Sequence, residues 1–400
     1  MIRRFPVFRS LSILVLMGGI VYLEIARPFG AFRLGTFVLL ALLVGVLTSF
    51  ARGIWRDGLL IVASLLFGIC AIEAFATIVS PAWDIRTTHG FTVPEPVIGW
   101  GPQHPGVFHA TRFDPRSKRV IYDANYSINS DLIRPTRACK AGPTVAFFGD
   151  SFTFGQGVND SETVPQYFSD AFGDNLRVLN LGFPGYGPQQ FLRELETGYF
   201  DRLVGPQPKL FVFMTTSWHV VRSSCKASWV MDGPRYGLAG DKVAYQGVCD
   251  MGLARWLKQW AQHSATYRLF IEPRLEKINH ADVDLFIRMT LAAIDLAKAK
   301  YGVPTLIPFI RAPEDYLRPT GFSNDDIIRR LRGGGADVID VSLDKQKSAG
   351  EPVIIQGDDH ATGLGNHLRA AWLKDYIAQH YGTALLLASD GTAPICARAK

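Results

Sequence analysis

The sequence predicts an α/β fold, in which a parallel sheet lies between two layers of helices and is preceded by transmembrane helices. Apolar runs are concentrated in the first 80 of the 400 residues. From residue 143 to about 382, strand-like and helix-like segments alternate, which is typical of parallel α/β sheets. The first of these strands, Thr144–Phe148, breaks at Gly149 and presents Ser151 at its carboxyl end, where open α/β sheets bind ligands.

Three apolar runs make up an expected membrane anchor, residues 1–82. They are Leu11–Ala26, Leu34–Ala51 and Leu59–Ser80. A spanning helix needs about 20 apolar residues, so the second and third runs qualify and the first is marginal. A signal peptide is the alternative for the first run, but no clear small-residue cleavage site follows it. We therefore expect three spans, with two as the alternative.

Basic residues orient this anchor. Arg3, Arg4 and Arg9 precede the first run, and Arg52 and Arg56 follow the second, so both places are expected in the cytoplasm. The chain beyond the third span is then expected on the periplasmic side of a multi-pass inner-membrane protein. The remaining share of the +6 net charge forms no basic patch, which argues against a nucleic-acid partner.

The rest of the chain divides into three parts: a β-rich lead-in (83–142), the α/β domain (143–382) and a C-terminal tail (383–400). The strands expected in the α/β domain are Thr144–Phe148, Leu176–Leu181, Leu210–Thr215, Val303–Ile310 and Asp337–Val341. The expected helices are Thr163–Phe172, Pro188–Leu203, Ala281–Lys300, Asp325–Leu331 and Gly363–Tyr381. An irregular insertion follows the third strand and runs to about residue 264.

A serine acts as a nucleophile only when a base takes its proton and a third group orients that base. Asp358 and His360 lie just before the closing helix, at the sheet edge where Ser151 is expected. We predict that Ser151, His360 and Asp358 form a catalytic triad, with Asp359 as the alternative orienting acid.

The oxyanion of acyl transfer needs preorganised N–H donors. The N–H of Ser151 is one. The glycine-rich turn Asn180–Gly187 follows the second strand, and its Gly185 is the candidate for the second donor.

These motifs resemble, in order, the conserved blocks of the SGNH/GDSL hydrolase superfamily. Gly149–Val158 resembles the serine block, Asn180–Gly187 the second block and Asp358–His360 the last block. Ser127–Arg134 is similar to the segment that precedes the serine block in membrane-tethered members. The resemblance covers residues 120–382 and implies a flavodoxin-like three-layer sandwich that acts on ester bonds and uses no cofactor.

One block departs from the family pattern. The third block places an Asn after the third strand as a further oxyanion donor, but Thr215–Arg222 contains none, and Trp218 or His219 occupies that region. Thr216, Ser217 or His219 is a candidate to donate in its place. The candidates for substrate binding are Trp218, His219 and Arg222, and the last two suit an anionic group.

The cysteines agree with an oxidising compartment. Cys70 lies in the third apolar run, which leaves four cysteines, and we predict the pairs Cys225–Cys249 and Cys139–Cys396. No Cys-x-x-Cys spacing indicates a metal site.

The resemblance implies a membrane-anchored serine esterase or O-acyltransferase that acts on acyl esters of cell-surface polysaccharide. The expected partners are an acylated carbohydrate or lipid substrate, the membrane and a membrane-bound partner in acyl transfer. Trp218, Trp229 and Tyr245 are candidates to line a glycan groove. Two alternatives stay open: a non-catalytic or weakly active glycan-binding or assembly protein, motivated by the missing Asn, and a lipid-directed esterase.

Overall fold

The computed structural model describes residues 6–26, 32–81, 84–137, 142–173 and 175–385. The chain forms two compact units. The first comprises Met1–Trp83 and Gly252–Leu275, and the second comprises Asp84–Met251 and Glu276–Lys400. Cys139, Cys396 and most of the expected tail lie outside the described residues.

The first unit begins with three helices, α1 (Pro6–Ala26), α2 (Phe32–Thr48) and α3 (Ile54–Val79). By length and composition, Phe8–Ala26 and α3 could each cross a membrane, whereas α2 is apolar but has only 17 residues. The sequence analysis instead favoured the second and third apolar runs as membrane-spanning helices. The difference arises because α1 begins before its apolar run and α2 ends before Ala51.

The remaining elements follow in chain order. The strands are β1 (Asp84–Thr87), β2 (Val93–Glu95), β3 (Gly99–Gly101), β4 (Gly106–Phe113), β5 (Val120–Ile128), β6 (Thr144–Gly149), β7 (Arg177–Asn180), β8 (Pro208–Thr216), β9 (Pro234–Ala239), β10 (Lys242–Val248), β11 (Thr305–Ile310) and β12 (Asp337–Asp340). The helices are α4 (Ser151–Phe154), α5 (Val164–Ala171), α6 (Pro188–Thr197), α7 (Asp201–Val204), α8 (His219–Ser223), α9 (Gly252–Ala261), α10 (Glu272–Leu275), α11 (His280–Tyr301), α12 (Glu314–Leu317), α13 (Asn324–Gly333), α14 (Asp344–Ser348) and α15 (Gly363–Tyr381).

The five predicted strands form one parallel sheet in the order β12–β11–β8–β6–β7. Side chains of β6 alternate between two apolar layers: Ala146 and Phe148 face the cluster that contains α6 and α11, and Val145 and Phe147 face the cluster that contains α5 and α15. The predicted three-layer α/β fold is therefore confirmed. The strand order reverses beside β6, and ligands of such sheets bind at the carboxyl ends of strands next to that point.

The lead-in belongs to the same unit as this sheet and contributes a three-stranded antiparallel sheet of order β1–β4–β5. Its Arg134 has a fully buried side chain. The guanidinium donates to the carbonyl oxygens of Phe154, Gly155 and Val158 at 2.9, 2.7 and 2.8 Å, and pairs with Asp160 at 2.8 Å. The lead-in thereby fixes the loop that follows Ser151.

The insertion after β8 contains α8 and the antiparallel hairpin β9–β10. The predicted disulfide between Cys225 and Cys249 is present and joins the chain after α8 to the end of β10. This bond closes the part of the insertion that borders the site described below.

The segment Gly252–Leu275, which the sequence places inside the α/β domain, belongs to the unit of the N-terminal helices. It contains α9, a π-helical turn at Tyr267–Ile271 and α10. Glu73 of α3 is buried and accepts hydrogen bonds from Ser264 Oγ at 2.7 Å and from the Ala265 N–H at 2.7 Å.

Candidate active site

Ser151 lies on a tight turn between β6 and α4. Gly149 ends the strand with φ 143°, and a Cβ there would lie 2.3 Å from Thr153 Oγ1 and 2.7 Å from the Met214 carbonyl oxygen, so only glycine fits. Asp150 then caps α4 by accepting from the Phe152 N–H at 3.0 Å. The turn holds the Ser151 hydroxyl at the carboxyl end of β6.

Ser151, His360 and Asp358 form a continuous hydrogen-bonded chain. His360 Nε2 lies 2.7 Å from Ser151 Oγ, and His360 Nδ1 contacts Asp358 Oδ1. A short bridge, Ile354 to Ala361, and a bond from the Ile355 N–H to the His360 carbonyl oxygen at 2.8 Å hold this loop. The structure thus brings together the three residues that the sequence proposed as a triad.

Asp358, rather than Asp359, contacts the imidazole. Asp359 lines the cavity beside it, in a left-handed conformation with φ 71°, and makes no hydrogen bond to His360 within the described part of the chain. Burial alone would raise the pKa of Asp358, but the hydrogen bond and charge of His360 and the charge of Arg112 bring that pKa below its usual value. Asp358 is therefore ionised at neutral pH.

Sequence reasoning missed Arg112. This residue lies in β4 of the lead-in, and its Nη1 pairs with Asp358 Oδ2, the oxygen that His360 does not use. The Asp358 side chain has no exposed surface, so the pair is shielded from water. The two residues are 246 positions apart, and no local motif marks Arg112.

Two backbone N–H groups belong to residues that line the cavity at the serine. Within the described residues, neither the Ser151 N–H nor the Gly185 N–H has a hydrogen-bond acceptor, and both residues line one cavity. Gly185 has φ 88°, and a Cβ there would lie 2.6 Å from the Trp229 ring. Trp100 Nε1 donates to the Pro184 carbonyl oxygen at 2.9 Å and so fixes this turn.

His219 is fully buried and is not among the residues that line the cavity. Its Nε2 lies 2.9 Å from Asp150 Oδ2, and its Nδ1 lies 2.9 Å from Thr215 Oγ1. Burial lowers the pKa of His219, although the Asp150 charge opposes this. A neutral His219 that donates to Asp150 and accepts from Thr215 satisfies both contacts.

Asp150 also receives Arg222. Arg222 Nη1 donates to Asp150 Oδ2 at 2.9 Å and to the Tyr186 carbonyl oxygen at 2.9 Å. Burial would raise the pKa of Asp150, but His219 and Arg222 together hold it well below its usual value. The guanidinium also lies over the Trp229 ring, at 5.3 Å from its centroid.

A cavity of about 700 Å³ opens over these groups. Its lining is rich in aromatic and apolar side chains and also includes the triad and Arg222. Among the residues that line it are Ser151, His360, Gly185, Trp100, Trp218, Arg222, Trp229 and Asp232.

Four of the sequence candidates are not among the lining residues. Thr216 and Ser217 are buried, as is His219, and Tyr245 instead packs on Tyr236 and under Arg193.

The described residues contain no cluster of three or more His, Cys, Asp or Glu side chains that could hold a metal ion.

No family model matches the chain, and no curated protein is significantly similar to it. Solved structures do resemble it. A lipolytic protein of the G-D-S-L family from Desulfitobacterium hafniense is 11% identical with a TM-score of 0.34, and the match covers 58% of this chain and 99% of that one. A psychrotrophic esterase from Pseudoalteromonas sp. is 12% identical, with a TM-score of 0.34 and coverage of 59% and 97%. An acetylxylan esterase from Geobacillus stearothermophilus is 12% identical, with a TM-score of 0.33 and coverage of 61% and 96%.

Proposed function

We propose that this chain, which is of the SGNH/GDSL hydrolase type, is a membrane-anchored serine esterase or O-acyltransferase acting on acyl esters of carbohydrate. The hydrogen-bonded chain Ser151–His360–Asp358 at the base of a large cavity carries the proposal. This arrangement activates a serine hydroxyl, because the imidazole accepts its proton while the carboxylate fixes the tautomer and stabilises the imidazolium.

The reaction has two halves. Ser151 Oγ attacks the ester carbonyl while His360 Nε2 takes the hydroxyl proton. The carbon–oxygen bond to the alcohol then breaks, and His360 gives that proton to the departing alkoxide, which leaves an acyl-serine. A water molecule or an acceptor hydroxyl then attacks the acyl-serine while His360 takes its proton. The bond between the acyl carbon and Ser151 Oγ breaks, His360 returns the proton to Oγ, and either a carboxylic acid or a new ester is released.

Charge on the oxyanion is met by the Ser151 and Gly185 N–H groups, which have no acceptor among the described residues. We assign the third donor to Arg222, in place of the Asn that the third block lacks. Its Nη1 is committed to Asp150 and Tyr186, whereas its Nε and Nη2 have no hydrogen-bond partner within the described residues. A guanidinium is always charged, so it stabilises a developing oxyanion more strongly than an amide does.

The cavity suits a carbohydrate ester. Trp100, Trp218 and Trp229 border the space in front of Ser151, and flat indole faces pack against the apolar faces of sugar rings. Asp232 adds a carboxylate that accepts hydrogen bonds from sugar hydroxyls. A lipid-directed esterase is the alternative for the same triad, motivated by the apolar N-terminal helices.

We further propose a multi-pass anchor in the inner membrane, with the triad on the periplasmic side and a membrane-bound partner as the acyl donor in the transfer reaction. The Cys225–Cys249 disulfide supports an oxidising compartment. The basic residues around the first and second apolar runs support this orientation.

A fluorophosphonate probe tests the catalytic proposal. The full-length protein in detergent is expected to be labelled, and the Ser151→Ala variant is not. If the folded wild type stays unlabelled, the chain is instead a non-catalytic glycan-binding protein. The absence of the Asn that the third block of the family carries favours this alternative.

Substrate class and reaction type are tested on the labelled protein. Activity on acetylated xylan oligosaccharides is expected to exceed activity on long-chain acyl esters, and the reverse order would support the lipid-directed esterase. Mass spectrometry with an added acceptor glycan separates transfer from hydrolysis, since transfer yields an acylated acceptor and hydrolysis yields free acid.

A further inference from the structure

Helix α9 exposes its apolar face. Leu253, Trp256 and Leu257 recur at the spacing that places them on one side of a helix, and they are 70%, 58% and 49% exposed. A helix on the surface of a globular protein buries such a face instead. An apolar face left open in this way indicates contact with an apolar surface outside the chain.

The opposite side of α9 is the better covered one. Arg255, Lys258 and Gln259 lie there, and all three are half-buried. Polar groups that turn towards the protein while apolar groups turn outwards are what lipid surroundings favour, because unpaired polar groups are costly in an apolar medium.

A second apolar patch follows in the same segment. Phe270, Ile271 and Leu275, in the π-helical turn and α10, are exposed. The whole segment Gly252–Leu275 contains four basic residues and one acidic residue, a net charge of +3. Tryptophan, phenylalanine and leucine beside lysine and arginine are typical of helices that lie at an anionic membrane surface.

Hydrogen bonds join the segment Gly252–Leu275 to the helices that could span the membrane. Glu73 of α3 is buried and accepts from Ser264 Oγ at 2.7 Å, from the Ala265 N–H at 2.7 Å and from the Thr266 N–H at 3.0 Å. A buried carboxylate in an apolar helix is tolerated when hydrogen bonds satisfy it, and the segment provides three.

A second set of contacts with the N-terminal helices lies at the end of α9. The Arg33 guanidinium lies 4.3 Å from the centroid of the Trp260 ring, and its Nη2 donates to the Trp260 carbonyl oxygen at 3.2 Å. The Trp260 and Phe37 rings meet edge to face at 5.8 Å. The segment is therefore a built part of the helical unit rather than a loose insertion.

We propose that Gly252–Leu275 is an interfacial membrane element, which lies in the headgroup region of the bilayer that the N-terminal helices span. Leu253, Trp256 and Leu257 enter the boundary of the acyl chains, and the net charge of +3 on the segment favours an anionic bilayer surface. The proposal rests on the membrane anchoring proposed above, and it adds a second attachment that the apolar runs alone do not include.

Photo-crosslinking in lipid tests this placement. Full-length protein carrying p-benzoylphenylalanine in place of Leu253, or separately of Leu257, is reconstituted in nanodiscs that contain one quarter anionic phosphatidylglycerol and irradiated. Leu65 of α3, which is exposed, is the positive control, and Lys347 of the α/β domain, also exposed, is the negative control. Mass spectrometry then identifies each adduct, and circular dichroism confirms that every variant is folded.

Lipid adducts at positions 253 and 257 are expected within about threefold of those at 65 and at least about fivefold above those at 347. Lipid adducts at position 65 with none at 253 and 257 would contradict the interfacial placement of Gly252–Leu275 but would agree with membrane anchoring by the N-terminal helices. Adducts at 253 to a second copy of the chain would also overturn it, in favour of a protein interface. If position 65 gives no lipid adduct, the proposal that the N-terminal helices anchor the protein in the membrane is contradicted.

Discussion

Arg112 and Asp358 form an ion pair between a strand of the lead-in and the carboxylate that orients His360. One oxygen of Asp358 contacts the His360 imidazole, and the other pairs with the Arg112 guanidinium. The strand β4, which precedes the α/β domain, therefore contributes a charged residue to the site. The domain from residue 143 onwards does not contain this residue.

Replacing Arg112 with Gln is expected to lower kcat about 10- to 100-fold, because the orienting carboxylate loses its second partner. The Arg112 charge is one of the influences that lower the pKa of Asp358. Its loss raises that pKa, so the acid limb of the pH–rate profile is expected to move to higher pH. Arg119→Gln, an exposed arginine that directly precedes the neighbouring strand β5, is the control. An unchanged profile in the Arg112 variant would contradict this role.

Replacing Arg222 with Gln is expected to lower kcat about 10²-fold while KM changes little, because a donor to the oxyanion is lost. Added guanidinium chloride at millimolar concentration is expected to restore part of the rate in Arg222→Ala, which a purely structural role would not allow. Arg235→Gln, an exposed arginine of β9, is the matched control. A rate loss that follows only a fall in melting temperature would speak against the oxyanion role.

Replacing Asp150 with Asn is expected to cost about 3 kcal/mol of unfolding free energy at pH 7, because Arg222 loses its buried counter-charge. The pKa of Asp150 is lowered in the folded protein, so the carboxylate contributes its stability above its ordinary pKa of 3.8 and loses it as the pH falls further. The gap between the melting temperatures of wild type and variant should therefore narrow as the pH falls below about 4. A gap that stays constant down to pH 3 would refute the assignment of the charge to Asp150.

Gly185→Ala is expected to reduce both stability and kcat, because the new methyl group meets the Trp229 ring at 2.6 Å and displaces an oxyanion donor. Gly240→Ala separates this clash from backbone strain. Gly240 also has a positive φ, of 63°, but has nothing within 4 Å of an added Cβ. It should lose about 1 kcal/mol and keep full activity. Equal loss of activity in both variants would show that strain alone is responsible.

The α/β core was predictable because its signals are local. The strands β6, β8 and β11 are mostly apolar runs, and helices such as α11 and α15 were predicted to within a residue or so at each end. The grouping of Ser151, His360 and Asp358 followed from the rule that parallel strands place their carboxyl ends at one edge.

The rest depends on contacts between distant positions. Arg112 meets Asp358 through the packing of the lead-in, and no spacing in the sequence encodes that contact. His219 was expected near substrate because it follows a strand, but α8 begins at that residue and its ring instead bonds Asp150. Gly252–Leu275 joins the unit of the N-terminal helices through contacts with Glu73, which lies nearly two hundred positions earlier. Two of the three hydrogen-bond donors to Glu73 are backbone N–H groups, which every sequence has, so no residue pattern marks this contact.

The chain crosses between its two units three times, after Trp83, after Met251 and after Leu275. Deleting the first 83 residues would therefore not yield a clean water-soluble fragment. Such a truncation keeps Leu253, Trp256 and Leu257 while removing Glu73, to which their segment is tied. It should self-associate in detergent-free buffer. A crystallisable fragment needs both the N-terminal deletion and the replacement of residues 252–275 by a short hydrophilic linker.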